Sequence, residues 1–237
     1  MRQPPTGRRR AETGGAAGAA ASGEHAPPAS RAPAWRWLVP VALAAAGLFA
    51  AGRAPSGGGV FMAASCAVAV VYTIAWWLWG CPRRTLRAHR LGRDALRGLA
   101  WGAGLAAVFA AGALAVRGIP LLAGPVAHLL EHATAGHLLP VAIITALSGI
   151  AEELFYRRTA LLLLPGRFRT RALVSLGLYM AVSATMGVPL LVFAAAALGA
   201  AATAEARRTG SLTSPIVMHL VWSLAMLMAL PALLQAV

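Results

Sequence analysis

The chain has 237 residues, of which 59% are hydrophobic and only 12% charged. A water-soluble domain carries about a quarter of its residues charged, so a soluble globular fold is excluded, and the long apolar runs exclude disorder over most of the length. The 21 basic residues, all arginine, stand against 7 acidic ones for a net charge of +14; between apolar spans that excess follows the positive-inside rule, and no nucleic-acid-binding signature accompanies it.

Residues 1–34 are rich in Pro, Ala, Gly, Ser and Arg, have no hydrophobic periodicity, and read as a disordered cytoplasmic tail. A cleaved signal peptide would place its apolar region nearer the start. A helix crossing the hydrocarbon needs about 17 to 25 mostly apolar residues. Runs of that kind fall at 37–52, 59–80, 99–116, 137–164, 172–188, 189–206 and 212–237. The fifth and sixth form one apolar stretch, divided at Gly187-Val188-Pro189, where a helix breaks. The expected fold is therefore an all-α, polytopic helical membrane protein of about seven transmembrane helices. Its N-terminal helices occupy 35–136, and a core occupies 137–237.

The arginines check this count. With the amino terminus inside and every span crossing, nineteen of the 21 arginines fall on the inner side, leaving only Arg53 and Arg117 outside. The expected location is the inner (plasma) membrane, multi-pass, with a cytoplasmic amino terminus and lipid as a partner. The stretch 83–97, with Leu86, Leu91 and Leu96 among its arginines, reads either as an amphipathic helix on the inner leaflet or as a solvated basic loop. Cys66 and Cys81 make no disulfide framework.

Of the seven acidic residues only Glu152 and Glu153 lie well within a span, since Glu205 ends its span beside the cytoplasmic pair Arg207 and Arg208, and of the six histidines only His219 lies well inside one. An acid at mid-membrane is expensive, so such a pair is by default a functional site, against the alternative that both snorkel to the inner interface. Glu153 and Arg157 are four residues apart and pair on one helical face. Glu152 is left as the less compensated carboxylate, of the kind that serves as a general base. In the last span His219 and Ser223 also share a face. If Arg157 marks the inner interface, Glu152 lies about 8 Å deep and His219 about 12 Å deep, so both reach one inward-facing pocket.

The run Glu152-Glu153-Leu154-Phe155-Tyr156-Arg157 is EExxxR, and Gly210-Ser211-Leu212, Pro215 and His219 follow about sixty residues later. Together they resemble the CAAX protease and bacteriocin-processing (CPBP) family, whose best-known branch is the type II CAAX prenyl endopeptidases, over about residues 138–230. The resemblance implies an intramembrane endopeptidase cutting a membrane-associated peptide or protein near the inner surface. Glu152 would be the base on a water, and His219 with its partner at position 223 would stabilise the oxyanion. The resemblance leaves open both a divalent metal such as zinc and a metal-free glutamate mechanism. The sequence departs from the family twice: where FxxxH is expected it has Tyr179 and Ser183, and Ser223 replaces the Asn or Asp of the third motif. Serine cannot take a proton as imidazole does, although its hydroxyl still donates a hydrogen bond.

Three other readings compete. A catalytically silent scaffold, or an immunity or resistance protein on the same fold, is favoured by the serine at 183. His128-Leu129-Leu130-Glu131-His132 has the HxxEH zinc spacing, but it and Glu205 fall on opposite sides of the membrane, and a looser site from His128, His132 and His137 competes with a plain interfacial helix. A transporter would call for internal repeats, and none is evident.

Overall fold

The computed structural model describes residues 32–55, 58–82, 90–134 and 138–235. Every regular element among them is helical: α1 (Trp35–Ala51), α2 (Gly59–Trp79), α3 (Leu91–Val116), α4 (Pro120–Thr134), α5 (Leu138–Leu163), α6 (Phe168–Ala184), α7 (Pro189–Thr209) and α8 (Thr213–Gln235). Five of these (α2, α3, α5, α7 and α8) are long and apolar enough to cross a membrane, and α1 is a shorter apolar helix. The chain is a multi-pass helical membrane protein.

All seven expected spans are helices, with two differences. The expected fifth span is the 17-residue α6, which begins four residues early and takes Arg169 and Arg171 into its first turn. Its polar start keeps it out of the group that can cross by length and composition. An eighth helix, α4, fills the segment that carries His128 and Glu131. Position 91, inside the 83–97 stretch that reads as a surface helix or a basic loop, opens α3, which then runs unbroken for 26 residues; residues 83–89 lie outside the described residues, as do 1–31 of the expected tail.

Large apolar side chains on the outer surface, among them Trp77, Val108, Leu121, Leu139, Leu173 and Phe193, are well exposed, as lipid-facing residues are when no bilayer surrounds them. Inside, two of the buried clusters flank the site. Tyr72 of α2, Phe155 and Tyr156 of α5 and Tyr179 of α6 pack with α1 on one side. Leu198 of α7 and Met218, Trp222 and Met226 of α8 pack with Ala106 of α3 on the other. On α3, Gly98 and Gly102 lie so close to α8 that an added Cβ would meet the Ser214 and Met218 carbonyl oxygens at 2.5 and 2.7 Å, the small-residue contact that membrane helices use in place of a hydrophobic drive.

The central helix α5 is not regular throughout. Residues Phe155–Thr159 form one π turn. Within it Phe155, Tyr156 and Arg157 are all buried, continuing a buried run that starts at Glu153. The turn also needs help with its carbonyls: Thr159 Oγ1 donates to Leu154 O (3.0 Å), and Ser175 Oγ of α6 donates to Tyr156 O (2.8 Å). Single π turns of this kind often sit at functional sites.

Candidate active site

The site is built on α5, α6 and α8. Glu153 is fully buried and Arg157 almost so, and they pair at 3.0 Å between Oε2 and Nε, as the four-residue spacing predicts. The other Glu153 oxygen, Oε1, accepts from His219 Nδ1 of α8 at 2.9 Å. One carboxylate thus joins an arginine on its own helix to a histidine 66 residues away. The Arg157 guanidinium carbon lies 4.7 Å from the centre of the Tyr179 ring, a cation–π contact suited to a desolvated cation.

Glu152 is placed differently. Its Oε2 faces His219 Nε2 at 3.9 Å, too far for a direct hydrogen bond and suited to one bridging water. The Tyr179 hydroxyl lies beside the same carboxylate. Glu152, Tyr179, Ser183, His219 and Ser223 all border one cavity of about 470 Å³. Its remaining lining is mostly apolar, with Phe109, Trp222 and Met226 among it.

Two glycines that the sequence reading did not single out make room for these groups. An added Cβ at Gly149, one turn before Glu152, would stand 3.1 Å from the His219 ring. At Gly199 of α7 it would stand 3.1 Å from Tyr179 and 3.2 Å from Arg157 Nη2. Tyr72 was also missed: its hydroxyl is 2.5 Å from that of Tyr156, and its ring stacks on Phe155 at 4.6 Å.

Three sequence expectations need correction. Arg157 does not mark an interface: α5 continues to Leu163, which leaves Glu152 roughly 16 Å from that end of the helix at 1.5 Å per residue. The pocket does not face the arginine-rich end either. On α5 it is bordered by Val141, Ile144, Thr145, Ser148 and Gly149, all preceding Glu152, and elsewhere by Val126, Val188 and Leu230. The arginine side is filled by the buried Glu153–Arg157 pair and the aromatic residues of the π turn. Glu205 does more than border the Arg207–Arg208 pair. It is 3% exposed, and its two oxygens accept from Arg97 Nη2 (2.7 Å) and from Arg97 Nε and Ser214 Oγ (3.0 and 3.1 Å).

The two serines at motif positions turn away from the glutamates. Ser183 Oγ donates to Tyr179 O (2.9 Å) and Ser223 Oγ to His219 O (2.8 Å). This bears on a metal. A catalytic zinc takes three protein ligands and a water. Both Glu153 oxygens are engaged, leaving one carboxylate and one ring nitrogen, and no group of three or more His, Cys, Asp or Glu able to hold an ion occurs among the described residues. The donor set does not fit zinc. Of the alternative zinc ligands, His128 and Glu131 lie on α4, whereas the His132 side chain and His137 lie outside the described residues.

Residues 134–225 match the family model described as type II CAAX prenyl endopeptidase, Rce1-like. The match runs from the end of α4 through most of α8 and takes in Glu152, Glu153, Arg157, Tyr179, Ser183, His219 and Ser223. No curated protein matches the chain, and no solved structure does.

Proposed function

We propose that the chain is an intramembrane endopeptidase in which Glu152 is the general base, a reading supported by the match of residues 134–225 to the type II CAAX prenyl endopeptidase, Rce1-like, family model. The observation that carries this reading is the unequal use of two adjacent carboxylates. Glu153 is fully buried and paired to both Arg157 and His219, while Glu152 stands at the cavity wall with its Oε2 3.9 Å from His219 Nε2. His219 holds Glu153 through Nδ1 and presents Nε2 to Glu152, so both carboxylates meet on one ring.

From that arrangement the steps follow. Glu152 removes a proton from the water it shares with His219, and the water oxygen attacks the scissile carbonyl carbon. The oxyanion accepts hydrogen bonds from His219 Nε2–H and from the Tyr179 hydroxyl, both preorganised by burial. The proton held by Glu152 passes to the departing nitrogen as the C–N bond breaks. Ser223 would join the oxyanion donors only by turning its hydroxyl away from the His219 carbonyl. The substrate enters an apolar cavity and is a membrane-embedded or membrane-bound peptide segment. The chain resides in the cytoplasmic membrane with its arginine-rich end inside.

The test compares membrane-protein N-termini by mass spectrometry in a deletion strain complemented with wild type or with Glu152→Gln at matched expression. Termini present with wild type and absent with the variant support the reading and name the substrate; identical termini refute it. A second reading, a silent scaffold, is favoured by one observation: Ser183 supplies no imidazole, and its hydroxyl is turned to the backbone. Identical termini would favour it.

A further inference from the structure

A second cavity, of about 640 Å³, lies between α6 and α7 at the arginine-rich end. Its walls are apolar, with Leu173 and Leu176 on α6, while Arg169, Arg207 and Arg208 stand along it. All three arginines are exposed, and the Arg207 guanidinium lies 4.7 Å from the centre of the Phe168 ring, which bridges the two helices at the mouth. No acidic residue lines the groove. Glu205, the acid near Arg208, already has both oxygens engaged by Arg97 and Ser214. Arg169 and Phe168 also belong to the first turn of α6, whose free N–H groups and dipole favour an anion.

We propose that this groove is a binding site for an anionic phospholipid, its phosphate among Arg169, Arg207 and Arg208 and an acyl chain along Leu173 and Leu176. The charge pattern selects the ligand. Three cations with no free acid beside them among the described residues call for a phosphate, and the apolar wall between two helices calls for a chain attached to it. A zwitterionic lipid satisfies the wall but carries its own cation to the arginines.

The groove lies one layer behind the candidate active site. Leu176, on its floor, is the nearest neighbour of a Cβ built at Gly199, at 2.6 Å, and the same position meets Tyr179 and Arg157. A lipid seated there holds α6 against α7 where Tyr179 and Arg157 are packed. That coupling rests on the protease reading, whereas the binding itself does not.

The experiment uses the full chain in nanodiscs of phosphatidylcholine alone or mixed with phosphatidylglycerol, with retained lipid counted by native mass spectrometry. Wild type is expected to retain phosphatidylglycerol over phosphatidylcholine by about tenfold. Arg169→Gln/Arg207→Gln/Arg208→Gln is expected to lose that preference while melting in phosphatidylcholine at the wild-type temperature. A control, Arg90→Gln/Arg167→Gln, changes exposed arginines outside the groove and keeps the preference. Equal retention of both lipids by wild type overturns the site, as does preference surviving in the triple variant or lost equally in the control. Stabilisation by inorganic phosphate in phosphatidylcholine discs matching that by phosphatidylglycerol assigns the groove to free phosphate and also overturns it. Because binding is read without turnover, an inactive Glu152→Gln protein that still retains the lipid separates failure of one proposal from failure of the other.

Discussion

Two buried acid–arginine clusters lie in this molecule, and they differ in what they leave over. At the arginine-rich end Glu205 accepts from Arg97 and Ser214 through both oxygens and ties α3, α7 and the start of α8 together. Deeper in, Glu153 is held between Arg157 by an ion pair and His219 by a hydrogen bond, but its neighbour Glu152 has neither at close range. The first cluster ends its valences on itself and holds helices. The second ends with one carboxylate and one ring nitrogen facing each other across 3.9 Å beside a cavity. Burial and charge mark both; unspent hydrogen-bonding capacity next to open space distinguishes a site that can act on a substrate from one that only locks the fold.

The largest effect that breaks the comparison is on turnover. Glu152→Gln is expected to reduce product formation by about a thousandfold or more, the scale of a general base, while the protein purifies and melts as wild type does. Glu153→Ala is expected to remove about 3–5 kcal/mol of stability, because it leaves Arg157 and His219 buried without their shared counter-ion; thermal melting in detergent checks this. Tyr179→Phe keeps the ring over Arg157 and removes only the hydroxyl, so turnover is expected to fall about a hundredfold with stability little changed. Glu205→Gln is expected to lower the melting temperature by less than Glu153→Ala and to leave measurable turnover. Ser183→Ala is expected to be the smallest change, within about 1 kcal/mol, since its hydroxyl serves a backbone carbonyl already bonded in the helix.

Much of the fold was legible because bilayer thickness and backbone satisfaction dictate long apolar helices, and breaks such as Gly187-Val188-Pro189 have strong local signals. The Glu153–Arg157 pair was legible for the same reason: it is local, four residues along one helix. What was not legible depends on partners far along the chain. Nothing near Glu153 announces His219, and nothing near Glu205 announces Arg97, 108 residues away; next to Arg207 and Arg208 it read as a border residue. The depth of the site was misjudged because Arg157 was placed at an interface, whereas Glu153 and the Tyr179 ring satisfy it in the interior. The π turn at Phe155–Thr159 had no sequence signal such as proline.

The most direct test of the central claim sets Glu152→Gln beside Glu153→Gln in one preparation, with melting temperature and product formation measured for each. The account predicts that Glu152→Gln melts with wild type and forms no product, while Glu153→Gln melts lower. Product formed by Glu152→Gln at the wild-type rate, or equal loss of melting temperature in both variants, would contradict it.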